Sequence, residues 1–193
     1  MERGRPADQL LDHHQAGLLT MRRVAAGSAG FTLIEMMLTI AILAVLTSVA
    51  LPEFRQMMRN YEVRVAAESV ANGLSRARSE AVARNASTTF ILGGGTAWAV
   101  ATLAGTAIDS RASTDGSPNA SLTAAPVGAT TITYNNLGQV IPNTDSPVTP
   151  TLTGVAVTAT GANQTLNIQI NAGGAPRVCD PSVPAYPTNV RGC

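Results

Sequence analysis

The feature that most constrains this chain is an apolar run from Phe31 to Leu51, FTLIEMMLTIAILAVLTSVAL, broken by a single charge, Glu35. A helix needs about 20 apolar residues to cross the hydrocarbon core of a bilayer, and this run reaches that length. The acid is costly where it stands. An ionised carboxylate inside a membrane helix costs about 2.5–3.5 kcal/mol on insertion scales, so Glu35 implies a use. Arg22 and Arg23 lie just before the run. Cationic residues hold their end of a span in the cytoplasm, which places everything after Leu51 on the far side.

The residues around Gly30 supply the use. Gly30-Phe31-Thr32-Leu33-Ile34-Glu35 resembles the processing site of type IV pilins and type II secretion pseudopilins. The resemblance implies that a membrane prepilin peptidase cuts between Gly30 and Phe31 and methylates the new N-terminal Phe31. Glu35 then becomes the fifth residue of the mature chain. Residues 1–30 read as a leader, not as fold. Within it Met21 is the better start, because MRRVAAGSAG is basic at the front and small at the cut. The resemblance runs on through Pro52, where pilin helices often carry a proline, to about Arg84. It implies an α+β fold: a long N-terminal helix, transmembrane in its first half, packed on a small antiparallel β-sheet domain. The expected parts are the leader 1–30, a transmembrane or filament-core helix 31–51, an amphipathic continuation 52–85 and a β-rich domain 86–193.

Charge and cysteines bound the rest. The chain has no lysine, and residues 31–193 carry nine arginines and nine acids. A formally neutral domain has no general electrostatic grip on nucleic acid or anionic lipid. Cys179 and Cys193 sit near the end. In an exported domain they are expected to pair, with two free thiols as the alternative. Closing such a loop is worth about 3 kcal/mol in the chain-entropy model. A metal site is not expected, since Cys-x-x-Cys spacing is missing and no histidine follows Gly30. His13 and His14 lie in the leader without acidic or cysteine partners at ligand spacing.

Phe31 to about Arg84 reads as one helix, roughly 80 Å long at 1.5 Å per residue. Pro52 and Gly73 are its two flaws; the proline is expected to kink or loosen it. Phe54, Met58, Tyr61 and Val65 recur at helical spacing, and Val70, Leu74, Ala77 and Ala81 continue the stripe with drift. That stripe is expected to pack on the chain's own domain, with the flanking charges solvated. Beyond Asn85 the period changes. Strands are expected at Ser87–Leu92, Trp98–Thr102, Thr130–Tyr134, Gly138–Ile141, Thr151–Thr158, Gln164–Ile170 and Arg177–Cys179. Residues 103–129 read mostly as loop, with at most a short strand near Leu122. The triple glycine 93–95 reads as a turn, since it lacks the Gly-Lys-Ser/Thr ending of a phosphate loop.

Two pieces repeat: ITYNNLGQV (132–140) and IQINAGGAPRV (168–178), each a strand, a polar turn with glycine and a short return strand. Paired hairpins after an N-terminal helix resemble the GspH/FimT branch of the family. The C-terminal cysteine pair points to its FimU- or FimT-like minor pilins. The resemblance implies other minor and major pilins and an inner-membrane assembly platform as partners. It also implies a single-pass inner-membrane location with the domain in the periplasm, and the pilus filament after assembly. Glu35 is then the assembly residue, pairing with the amine of Phe31 once helices pack.

No catalytic constellation can be assembled, so no enzyme and no cofactor are expected. The competing class is a DNA receptor. Some FimT-like pilins bind DNA through a Gly-Arg-x-Arg motif. The matching stretch is Gly174-Ala175-Pro176-Arg177, which keeps only the second arginine; Arg191 is the other candidate contact. A GspH-like minor pseudopilin of a secretion system is the remaining alternative.

Overall fold

The computed structural model describes residues 30–144, 149–184 and 189–193. The expectations for Met21, His13, His14, Arg22, Arg23 and the rest of the leader fall outside the described residues. A single helix, α1 (Leu33–Ala83), precedes the strands β1 (Thr88–Leu92), β2 (Trp98–Thr102), β3 (Ala107–Arg111), β4 (Ala120–Ala125) and β5 (Thr131–Tyr134). Next come β6 (Val140–Ile141), β7 (Gly154–Ala159), β8 (Leu166–Ile170) and β9 (Pro176–Cys179). The α+β class holds: one long helix, then antiparallel sheets. The chain divides into two compact units, residues 1–42 and 43–193. In the first, the described residues are the opening of α1, all exposed. The second carries the rest of α1 and both sheets.

Local chemistry sets the ends of α1. Thr32 caps its start, its hydroxyl accepting the Glu35 N–H at 3.3 Å. At the far end Asn85 takes a left-handed φ of 50°. The Ala86 N–H reaches the Ala81 carbonyl at 3.1 Å and the Asn85 N–H reaches Val82 at 3.2 Å. This is a Schellman cap built on asparagine, whose short polar side chain tolerates that conformation. Between them α1 runs unbroken through Pro52.

The packed face of α1 consists of Val63, Ala66, Ala67, Val70, Gly73, Leu74, Ala77 and Ala81. Small residues let the sheet come close. A Cβ on Gly73 would lie 2.8 Å from the Phe90 ring and 3.0 Å from Trp98. The Trp98 indole N–H donates to the Ser69 hydroxyl at 2.9 Å, and the Thr88 hydroxyl donates to the Ala77 carbonyl at 2.7 Å. The expected stripe is therefore only half right. Val70, Leu74, Ala77 and Ala81 are buried, but Phe54 is 57% and Tyr61 61% exposed. At about 100° per residue, Phe54, Met58 and Tyr61 stand on the side of the helix opposite the packed face.

One five-stranded sheet has the order β3-β2-β1-β5-β6; the other has β4-β7-β8-β9. All named pairings are antiparallel. A single core joins α1 to both sheets through Phe90, Val100, Ile132, Tyr134, Val155, Val157 and Ile168. The stretch 103–129, expected to be mostly loop, contains β4 at the short strand near Leu122 and a further strand, β3. β3 is an exposed edge with few apolar side chains. β4 reads ASLTAA, pairing with β7 over six residues. Ala, Ser and Thr differ too little in polarity to print an alternation. The two repeated pieces form matching hairpins, β5–β6 and β8–β9. In each, a glycine with positive φ (Gly138 at 72°, Gly174 at 79°) donates its N–H to an asparagine carbonyl three residues back.

Candidate assembly face and C-terminal loop

From Phe31 to Tyr61 the large apolar side chains of the chain's N-terminal stretch are exposed. Leu33–Ala83 contains a window apolar enough to cross a membrane, and none of that window is buried within the chain. Glu35 sits in the first turn, where the unpaired N–H groups of the helix favour a negative charge. Gly30 and Phe31 precede the helix, both exposed.

Above this stretch, polar residues of α1 tie the loops of the domain to the helix. The Asn60 carboxamide oxygen accepts the N–H groups of Asn163 and Gln164 at 3.1 and 3.2 Å. Glu62 accepts the Asn119 N–H at 3.2 Å and its side-chain amide at 3.0 Å, while Arg59 pairs with Glu62 at 3.1 Å. The Arg78 Nε–H donates to the Gly138 carbonyl at 2.9 Å. Arg76 and Arg84 both pair with Glu80, at 2.9 and 2.7 Å. The hydrogen bond from Arg84 holds the Glu80 carboxyl below its usual range. The charges were expected to be solvated; Glu62 and Arg78 instead fasten loops. The signal was absent from sequence because their partners are backbone groups and an asparagine far along the chain.

Cys179 and Cys193 form a disulfide, with Cα atoms 5.1 Å apart. It closes a loop that Arg177, two residues before it, braces by donating through Nη2 to the carbonyls of Val190 and Gly192 at 2.8 Å each. The Asp180 N–H reaches the Arg191 carbonyl at 2.7 Å. The Asp180 carboxylate accepts the Ser182 hydroxyl at 2.6 Å and its N–H at 2.9 Å. Those bonds, hydroxyl first, hold the Asp180 carboxyl below its usual range. Of the two candidate DNA contacts, Arg177 is thus bonded into the loop. Arg191 lines an open groove of about 300 Å³ with Arg64, Glu68, Leu166, Val178 and Asp180. Arg64 was missed in sequence. It stands more than a hundred residues from Arg191, and only the fold brings the two to one groove.

Among the described residues no group of His, Cys, Asp and Glu has the makings of a metal site. Tyr134 is buried with a hydroxyl that has no partner, and burial pushes its ionisation far up. It belongs to the core.

A family model described as Type II transport protein GspH matches residues 66–177. A second, the prokaryotic N-terminal methylation motif, matches residues 26–51. No curated protein matches by sequence. Two crystal structures of the Pseudomonas aeruginosa (strain PAO1) type IV minor pilin FimU superpose on the chain at 16% identity, with TM-scores of 0.48 and 0.49. They cover 64% and 67% of this chain and 97% of each of those chains.

Proposed function

The chain belongs to the GspH family of pilin-like subunits, structural proteins rather than enzymes, and from that premise we propose that it is a minor pilin of a type IV filament. The observation that carries this reading is the uncovered apolar length of α1 behind a methylation motif. Prepilin peptidase cuts between Gly30 and Phe31, and Phe31 is methylated. The helix then waits in the inner membrane with the domain in the periplasm. On assembly near the filament tip it leaves lipid and packs among the helices of other pilins, major and minor, at the assembly platform.

Glu35 supplies the check on register. Leaving water and lipid headgroups, its carboxylate needs a cationic partner, since an unpaired buried charge is strongly destabilising. The amine of Phe31, on the same or a neighbouring subunit, is the partner available at that depth. A misplaced subunit leaves both charges unsatisfied. Intact mass of the protein from its native membrane tests the processing. The expected mass is Phe31–Cys193 plus one methyl group and minus two hydrogens. A mass retaining residues 21–30 refutes it. Glu35→Val that enters filaments as well as wild type removes the pairing.

Two other readings each have an observation behind them. The match to the Type II transport protein GspH family favours a minor pseudopilin of a type II secretion system. Deleting the protein in its host separates the two: loss of pili supports the first, loss of secreted enzymes the second. The groove that brings Arg64 and Arg191 together is where DNA would make contact, with Glu68 and Asp180 opposing it. Two guanidinium groups make a salt-sensitive site. An absence of DNA binding at low salt by the full chain in detergent excludes it.

A further inference from the structure

Arg55 and Arg59 lie on the same side of α1 as Val63, Ala67 and Val70, continuing the packed face towards the apolar span. There the sheet has ended. What faces the helix instead is the turn between β7 and β8. Arg55, Gln56 and Arg59 of α1 line a cleft of about 460 Å³ whose other wall is Thr160 and Gly161; Glu53 stands at its side. The turn sits directly on the arginine, for a Cβ on Gly161 would lie 3.9 Å from Arg59 Cγ. The bonds from Asn163 and Gln164 to Asn60 fix the turn against the helix, so the cleft is already built.

The charge in this cleft is not fully used. Arg59 is paired with Glu62. Among the described residues Arg55 makes no ion pair and no hydrogen bond. Arg55 is one helical turn beyond Leu51, about 6 Å along the axis. That is the level of the lipid phosphates if the apolar run ends where hydrocarbon ends.

We propose that the cleft between Arg55, Arg59 and the β7–β8 turn seats the phosphate of an anionic lipid headgroup while the subunit is stored in the membrane. The proposal rests on the reading of Phe31–Leu51 as the embedded segment. Arg55 is the binding charge. Arg59 presents a guanidinium already oriented by Glu62. The Thr160 hydroxyl, on the opposite wall, completes the donors. The site is lost when the helix leaves lipid, so headgroup release accompanies entry into the filament.

The full chain is reconstituted in vesicles of phosphatidylcholine alone, or of phosphatidylcholine and phosphatidylglycerol in equal parts. Flotation and amide hydrogen exchange over residues 159–162 are measured. Exchange about fivefold slower in the anionic vesicles is expected, the size of one basic side chain meeting an anionic surface. Arg55→Gln should abolish that difference, and Glu53→Gln should enlarge it. Arg55→Gln removes no hydrogen bond or ion pair among the described residues, so its failure is not a folding defect. Equal exchange in both vesicles, or a difference that survives Arg55→Gln, overturns the cleft while leaving the anchor intact. A chain that floats with neither vesicle overturns the anchor and the cleft together. Protection produced in neutral vesicles by inorganic phosphate assigns the cleft to a free anion and overturns the lipid.

Discussion

Two stretches of α1 meet the same problem in opposite ways. From Val63 to Ala81 the helix buries small residues, and its gain comes from how closely a sheet can approach Gly73 and four alanines. From Leu51 to Tyr61 it exposes large ones: Leu51, Phe54, Met57, Met58 and Tyr61. The first stretch is finished within the chain. The second is not, and its large side chains suit a partner that is not a flat sheet of the same molecule. One helix thus carries a completed interface and an uncompleted one. The difference teaches that residue size, as well as apolarity, separates what a chain covers itself from what it offers.

The comparison is most severely tested at Leu74. Leu74→Ala, at a fully buried site, is expected to cost about 3 kcal/mol in thermal unfolding of the detergent-solubilised chain, followed through Trp98. Leu46→Ala, at a site 63% exposed, should leave that transition unmoved and weaken filament entry instead. Equal losses from the two would abolish the distinction. Next comes Gly73→Val. Two methyl groups beyond a Cβ that already crowds Phe90 and Trp98 should cost about 2 kcal/mol by overpacking, read in the same melt. Ser69→Ala sharpens the picture further. It strips the Trp98 indole N–H of its acceptor and should cost about 1 kcal/mol, with a shift in Trp98 fluorescence.

The smallest effect is acid fraying at the end of α1. Glu80 has its folded pKa held down, chiefly by the bond from Arg84. Its contribution is present above the unfolded carboxylate value of about 4.3 and disappears as pH falls through the lower folded value. The protection of residues 81–86 against hydrogen exchange, taken relative to the intrinsic rate at each pH, should therefore fall only below about pH 4. The C-terminal loop held by Asp180 should follow the same direction, since Ser182 holds its carboxyl down in the same way. Unchanged protection across that range would remove both carboxylates as fasteners.

Much of this was legible in sequence, and the parts that were not share a cause. The long helix, the hairpins at β1–β2, β5–β6, β7–β8 and β8–β9, and the disulfide all follow from periodicity, turn residues and cysteine position. The face of α1 was misread at one point. The stripe from Phe54 to Val65 does not continue into Val70; it drifts because two faces are present. The face that packs runs through Val63, Val70 and Leu74, and its continuation towards the span carries two charges, Arg55 and Arg59. The short strand near Leu122 is β4, and only β3 was hidden, because an exposed edge reading AIDSR prints no alternation of apolar and polar residues. The loop partners of Glu62 and Asn60, and the groove Arg64 shares with Arg191, lie across long sequence separations and leave no local trace. Glu35 was the reverse case. Its place in the motif was plain, and the structure adds that it also sits in a capped first turn.

The bonds from Asn60, Glu62 and Arg78 to three separate loops have a mechanical consequence. They clamp the sheets to the helix, so the domain turns with α1 as a hand turns with a wrist. The phase between the Leu51–Tyr61 side and the Val63–Ala81 side then fixes an azimuth. Whatever grips the exposed side determines which way the domain looks. Adding a single residue at the boundary, just before Val63, would swing the domain by about 100° around the axis while leaving both surfaces chemically intact.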